Sequence, residues 1–316
     1  MFSIVRRMGR GLLVILLVTL AVVVLLSFAP GSVAQAILGD ADTPEAVAAL
    51  DAKLGLDDPV WMQYLHWVGN AAQGDLGTSP LTGQSVTTAI AERLPVTFQL
   101  AAMALVIALV SAVFLAVLSA MRPGGPVDRG TAALTSVFLS VPAFVAGPVL
   151  IYFFAVELGW APVAGWNRIG DGVGLNLQSA LLPAIAMALM EIAAFHRLLR
   201  TDLITTLRED FIGAARAKGM SEWYVMFRHA LRPSSFSLIT LAGLNLGRLI
   251  GGTVIVETLF SLPGLGQLLA SSIVSRDLIM VQGIVAFMAI VYVVVNILVD
   301  SSYELIDPRV RKVATV

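Results

Sequence analysis

The 316-residue sequence contains no cysteine, so neither a disulfide framework nor a cysteine-ligated zinc site is available to it. Lysine is almost as scarce. Lys53, Lys218 and Lys312 all follow a residue other than glycine, so no phosphate-cradling loop ending in Gly-Lys exists. His66, His196 and His229 form no metal-ligand pair, no Gly-x-Ser-x-Gly elbow occurs, and Gly264-Leu265-Gly266 lacks the third glycine and the strand context of a dinucleotide loop. A catalytic constellation is thus missing, and the chain cannot be a P-loop ATPase by itself. Charge is also in short supply, at 13% of residues against 58% apolar. A soluble domain of that composition would expose large apolar patches, so the solvent for most of this chain is lipid.

Crossing a bilayer as a helix takes about 20 apolar residues. Six stretches meet that length, roughly 11–29, 95–121, 131–156, 177–195, 234–259 and 281–301. Lysine and arginine orient them. Arg6, Arg7 and Arg10 precede the first span, Arg122 and Arg129 separate the second from the third, seven cations from Arg197 to Arg232 separate the fourth from the fifth, and Arg309, Arg311 and Lys312 close the chain. The alternate connections carry Lys53, Arg93, Arg168 and Arg276, so the split is fifteen against four and both termini are predicted to be cytoplasmic. The first span also reads as a secretory signal with a small-residue cleavage site at Ala34-Gln35-Ala36. Its apolar core is longer than a signal core, and losing it would leave five helices with termini on opposite sides, so a retained helix is the preferred reading. Pro142, Pro148 and Pro183 each remove a backbone hydrogen bond and are predicted kink points.

The segment 30–94 is the only sizeable polar region outside the predicted membrane, with eight acids against Lys53 and Arg93. Thr43-Pro44-Glu45 is a helix start and Gly55 its stop. Asp58-Pro59 opens a second helix whose Trp61, Tyr64, Leu65 and Val68 share one apolar face, suited to the membrane rim or to a docked protein. Gly74-Asp75-Leu76-Gly77-Thr78-Ser79 reads as a turn-rich hinge. The chain therefore divides into an N-terminal tail and first helix (1–29), an external helical segment (30–94), a five-helix core (95–305) with a cytoplasmic loop at 199–233, and a C-terminal tail (306–316).

Within that loop, Asp210 to Arg232 reads as two short amphipathic helices hinged at Gly219, which tolerates the left-handed backbone. Ser221 caps the second helix and Glu222 favours its positive end. A helical knob on the most basic face of a membrane protein suits a soluble partner. The run Ala214-Ala215-Arg216-Ala217-Lys218-Gly219, followed by a helix ending His229-Ala230-Leu231-Arg232, resembles the signature loop of ABC importer permeases of the dipeptide/oligopeptide/nickel family. Further stretches are similar to the first, B-type permease of that family: Leu54 to Pro59 with Gln63-Tyr64-Leu65, Gly74 to Gly77, Ser140 to Phe144, Val256-Glu257 with Phe260 to Gly266, and Val299-Asp300 through Asp307-Pro308-Arg309. One departure is Gly213, where the broader importer signature has glutamate.

The resemblance implies an all-α membrane subunit with six transmembrane helices, which pairs with a second homologous permease, two ATPase subunits and an external substrate-binding protein to import peptides across a bacterial inner membrane. Nickel chelates and haem are the alternative substrates within the family. The chain itself would hold no cofactor, since ATP and Mg belong to the ATPase subunits; lipid is a partner and nucleic acid is not. By the same resemblance the loop is the coupling element, with Trp223, Tyr224, Met226 and Phe227 for contact and Arg216, Lys218 and Arg228 for orientation. Read from residues alone, the aromatics equally suit the headgroup region and the cations anionic lipid.

An ionisable group inside a span is a functional candidate. At 100° per residue, Gly243, Gly247 and Gly251 share one face of the fifth helix, while Ser237, Asn245, Arg248 and Gly252 gather on the opposite one. The polar face is predicted to line a watery path in which Arg248 attracts a peptide carboxylate; the alternative is an interhelical ion pair with Glu191 or with the partner permease. Glu257, Asp58, Trp61 and Tyr64 are candidates for an external gate or receptor contact, with a structural hydrogen bond as the other reading of Glu257. Asp300 is predicted to pair with a cytoplasmic-side arginine. A standalone secondary transporter or channel is the competing function class; the related broken helices and midplane carboxylates it would show are not visible.

Overall fold

The computed structural model describes residues 2–28, 33–38, 43–54 and 58–306. The predicted helix stop at Gly55, the motif residues from Asp307 onward, the basic C-terminal tail and the side chain of Asp300 lie outside them. Among the described residues the chain is all-α, with thirteen α-helices and no strand. These are α1 (Phe2–Ser27), α2 (Val33–Leu38), α3 (Pro44–Leu54), α4 (Val60–Ala71), α5 (Val86–Met121), α6 (Pro126–Ser140), α7 (Ala143–Leu150), α8 (Val173–Thr206), α9 (Asp210–Ala217), α10 (Glu222–Tyr224), α11 (Leu231–Leu259), α12 (Leu265–Ser275) and α13 (Leu278–Ile306). π-Helical stretches at Ile151–Glu157 and Val225–Ala230 continue α7 and α10.

Among the described residues five helices are long and apolar enough to cross a membrane, and α6 with α7 make a sixth if counted as one span. The third predicted span, 131–156, is therefore not one kinked helix but two, bent by 104° at Val141-Pro142. The cause is local: proline bars its predecessor from the helical region, and Val141 sits extended at φ −103°, ψ 108° before Pro142 starts a new helix. Pro148 and Pro183 stay inside α7 and α8. Several helices also overrun their apolar stretches. The second begins at Val86 rather than Pro95 and the fourth runs to Thr206 rather than Phe195, because lipid sets the apolar length whereas helix length is set by caps and tertiary contacts.

Two compact units are present. The first comprises residues 1–97 with 263–297. Its core gathers Val86, Ala89, Ile90, Leu265, Met280 and Ile284, and Val86 lies where a Cβ on Gly283 would fall. The predicted hinge at 74–79 is a fastened turn. Asp75 accepts from the Gly77 amide at 2.8 Å, Ser79 donates to Asp277, and Asp277 in turn accepts from the Met280 amide at 3.1 Å to cap α13. Gly77, at φ +94°, allows the close approach to Ile279. Thr97 accepts from the Leu265 amide at 2.8 Å, which fixes the start of α12.

The second unit, 98–262 with 298–316, is built around α8, against which α6, α7 and α11 pack. Along α5, Ala104, Ala108, Ala112, Ala116 and Ala120 recur every fourth residue and are all buried, a small-residue stripe that permits close helix approach. Gln99, in the first half of α5, donates to Asn176 at 2.6 Å, and Ser119, near its C-terminal end, bonds His196 at 3.1 Å. Gly147 is the contact that lets α7 press on Leu259 and Phe260.

Candidate functional site: the 210–230 hairpin and the polar face of the fifth span

The hairpin forms where predicted but is built differently. Glu209 and the acidic Asp210 open α9, and Gly219, at φ +79°, reverses the chain. Ser221 caps α10 by accepting from the Tyr224 amide at 3.4 Å. The second arm is not a separate helix: residues Glu222–Leu259 run as one span through the π-helical stretch. Pro233 does not interrupt it, because it falls in the first turn of α11, just after a turn that has already left the i→i−4 ladder.

Ile212, Ala215, Val225, Met226 and Ala230 are buried and hold the two arms together. Met226, expected as a contact residue, is therefore interior, and Ala215 is likewise inside; the exposed side of α9 is Phe211, Ala214, Arg216 and Lys218. Arg216 clamps the arms with a bidentate pair to Glu222, at 2.9 and 3.0 Å. At the base, Thr206 and Ser234 share a hydrogen bond of 3.0 Å that ties α8 to the start of α11. Trp223 and Phe227 stack at 5.7 Å and, with Tyr224 and Arg228, are exposed. The stacked pair does not point away from the bundle. It closes one side of an apolar groove of about 490 Å³ whose other wall is Leu109, Val110, Val113, Phe114, Val117 and Leu118 of α5.

On α11, Ser237, Arg248 and Gly252 are exposed as predicted for one face, whereas Asn245 is buried. Glu191 of α8 binds both polar side chains of that face: Arg248 Nη2 donates at 2.5 Å and Asn245 Nδ2 at 2.6 Å. The carboxylate side chain is only 6% exposed and the guanidinium side chain 61%, so the pair is buried at one end and open at the other. Of the glycine face, Gly243 packs on Val299, while a Cβ on Gly251 would meet nothing.

A second polar cluster was not singled out from sequence. Asp128, at the start of α6, accepts from Arg200 at 2.5 and 2.6 Å and from the Gly124 amide at 2.7 Å. Above it, the ring of buried His196 lies between Ser119 at 3.1 Å and Thr135 at 3.3 Å, and Ser119 and Thr131 are 2.6 Å apart. An acid in the first turn of a helix was the available signal; a partner 72 residues away leaves none.

The external candidates separate. Tyr64 is buried against α1, donating to the Leu16 carbonyl at 2.8 Å and bonding Thr19 at 2.9 Å, so it is not free to meet a receptor, and α4 packs on the first helix instead. Asp58 and Trp61 are exposed, and Glu257 is fully buried within its unit.

Residues 112–312 match the family described as "Binding-protein-dependent transport system inner membrane component", and residues 1–101 match its N-terminal companion, "Binding-prot-dependent transport system membrane comp, N-term". A probable peptide ABC transporter permease protein, y4tP, of Sinorhizobium fredii is 36% identical over 98% of both chains. A putative peptide transport system permease protein of Brucella abortus is 39% identical over 98% of both. The oligopeptide transport system permease protein AppB of Bacillus subtilis is 34% identical, again over 98% of each. Among solved structures, an inward-facing MetNI methionine ABC transporter chain shares the fold, with a TM-score of 0.54 at 18% identity, covering 70% of this chain and 96% of that one. The chain belongs to the inner membrane components of binding-protein-dependent transport systems, the multi-pass permease subunits of ABC transporters.

Proposed function

We propose that this chain is one of two homologous permeases of an ATP-driven peptide importer, served by two ATPase subunits and an external substrate-binding protein, with both termini and the 210–230 hairpin in the cytoplasm. The peptide assignment rests on relatives named for peptide transport at 34–39% identity over nearly the whole chain. The coupling role rests on one observation: the hairpin has a buried apolar interior and an exposed side of α9, and its second arm runs unbroken into a span that is hydrogen-bonded to α8 at its base.

That arrangement works as a lever. Closure of the ATPase subunits on ATP pulls α9, and because α10 is continuous with α11 while Thr206 joins α8 to it, the pull reaches both helices that carry the Glu191–Asn245–Arg248 group. Those helices line the path in this reading, and hydrolysis resets it. Arg248, held by Glu191 but largely open, attracts the peptide carboxylate. Because Met226 is buried and the Trp223–Phe227 pair faces α5, the ATPase contact falls on Ala214, Arg216 and Lys218. In the reconstituted complex, Ala214→Glu with Lys218→Glu should insert and assemble yet lose substrate-stimulated ATP hydrolysis and uptake together. Unchanged stimulation would sink the coupling assignment. Peptide accumulation by the purified chain alone, driven by a proton gradient, would establish a secondary transporter instead.

A further inference from the structure

The groove between α5 and the Trp223–Phe227 pair is left without a role by coupling. Six of its eight lining residues belong to an apolar spanning helix, and the two aromatics complete a wall with almost no polar surface. The α5 wall is a run of aliphatic and aromatic side chains on a helix apolar enough to cross a membrane, a lining that suits hydrocarbon better than the surface of a soluble ATPase subunit. The space is also small for a protein. A helix some 10 Å across, rising about 5.4 Å per turn, would fill about 490 Å³ within roughly one turn. A hydrocarbon chain suits both its shape and its lining.

Charge identifies the rest of the ligand. Leu118, which lines the groove, is one turn from Arg122, which is exposed just beyond the end of α5. On the other wall Phe227 is followed directly by exposed Arg228. The surrounding segment 197–232 carries seven cations against four acids; Arg216 pairs with Glu222 and Arg200 with Asp128, and outside those pairs five cations stand against three acids. Tryptophan at the rim of an apolar groove beside arginines is the side-chain set that meets lipid at the headgroup level.

We propose that this groove is a binding site for one anionic phospholipid of the cytoplasmic leaflet, with an acyl chain between α5 and the Trp223–Phe227 stack and its headgroup drawn to Arg122 and Arg228. The proposal rests on the inward placement of the hairpin stated above. Its consequence is that lipid composition acts on the second arm of the coupling element, since the aromatics that hold the chain lie on the helix that carries force into α11.

The absence of cysteine makes both the placement and the site testable in the complete complex. Ser221→Cys, labelled from each side of the membrane, reads sidedness alone; labelling only from outside would overturn the inward placement and with it the cytoplasmic leaflet, while what fills the groove is read separately. The site itself is read by Trp223 emission, taken as wild type minus Trp223→Phe, in nanodiscs containing bromine-chain phosphatidylglycerol or bromine-chain phosphatidylcholine. The expected result is quenching by both, with half-quenching at about fivefold less phosphatidylglycerol per arginine engaged. Arg122→Gln with Arg228→Gln should abolish that preference and leave the quenching. Absence of quenching in the assembled complex would mean that a partner permease covers the groove, and equal quenching by the two lipids in the wild type would mean an ordinary annulus; either overturns the proposal.

Discussion

Two buried carboxylates of the second unit have met the same problem in different ways. Asp128 and Glu191 are 5% and 6% exposed in their side chains, and each is paired with an arginine. Asp128 takes three donors, the fork of Arg200 and the Gly124 amide, and its arginine is 30% exposed. Glu191 takes two, from Asn245 and a single Nη2 of Arg248, and its arginine is 61% exposed. A bidentate, closed pair fixes geometry, whereas a single-contact pair with an open cation can exchange partners. Asp128 and Arg200 therefore lock α6 to α8 near the base of the hairpin, and Glu191 with Arg248 joins α8 to α11 in a way that can yield when those helices move.

The closed pair should be the costlier of the two to disrupt. Asp128→Asn should cost about 2–3 kcal/mol, less than for a fully enclosed pair because Arg200 keeps some water, and should lower the thermal stability of the purified complex. Arg248→Gln should cost less, about 1–2 kcal/mol, because Asn245 still donates to Glu191. Restoration of that stability by the double variant Glu191→Gln/Arg248→Gln would show that the loss came from the stranded carboxylate. The same Arg248→Gln variant should slow uptake of peptides with a free C-terminal carboxylate more than that of amidated ones; equal slowing would confine Arg248 to structure. Ser119→Ala, which removes one partner of the His196 ring, should cost about 1 kcal/mol in the same melting assay. The smallest effect belongs to the exposed clamp. Arg216→Gln should change stability by less than about 1 kcal/mol, and the difference should vanish at high salt. A large loss there would mean that the Arg216–Glu222 pair is enclosed in the assembled complex.

The spans, the hairpin and its reversal at Gly219 were legible because each depends on local chemistry: apolar length, a positive φ, a capping serine. The break at Val141-Pro142 was legible as a kink but not as a 104° turn, since proline dictates that the helix stops and tertiary packing dictates where the next one goes. The fusion of α10 with α11 was hidden by Pro233, which reads as a breaker unless the preceding π-turn is known. The 3.6-residue period puts Arg248 and Asn245 on one face, and Glu191 is one of the ion-pair partners the sequence offers Arg248. Which aromatics face a neighbour could not be read, because Met226 and Phe227 are adjacent in sequence and only the packing of α9 decides that Met226 goes inside. Tyr64 follows the same rule: the helical period fixes its face but not its partner, α1.

The coupling role depends most directly on the exposed side of α9. In the cysteine-free chain, Ala214→Cys and Trp223→Cys can each be offered to a short bifunctional crosslinker in the assembled complex. The prediction is that position 214 joins an ATPase subunit, more efficiently with ATP bound, while position 223 does not. Crosslinking of an ATPase subunit at 223 and not at 214 would contradict it.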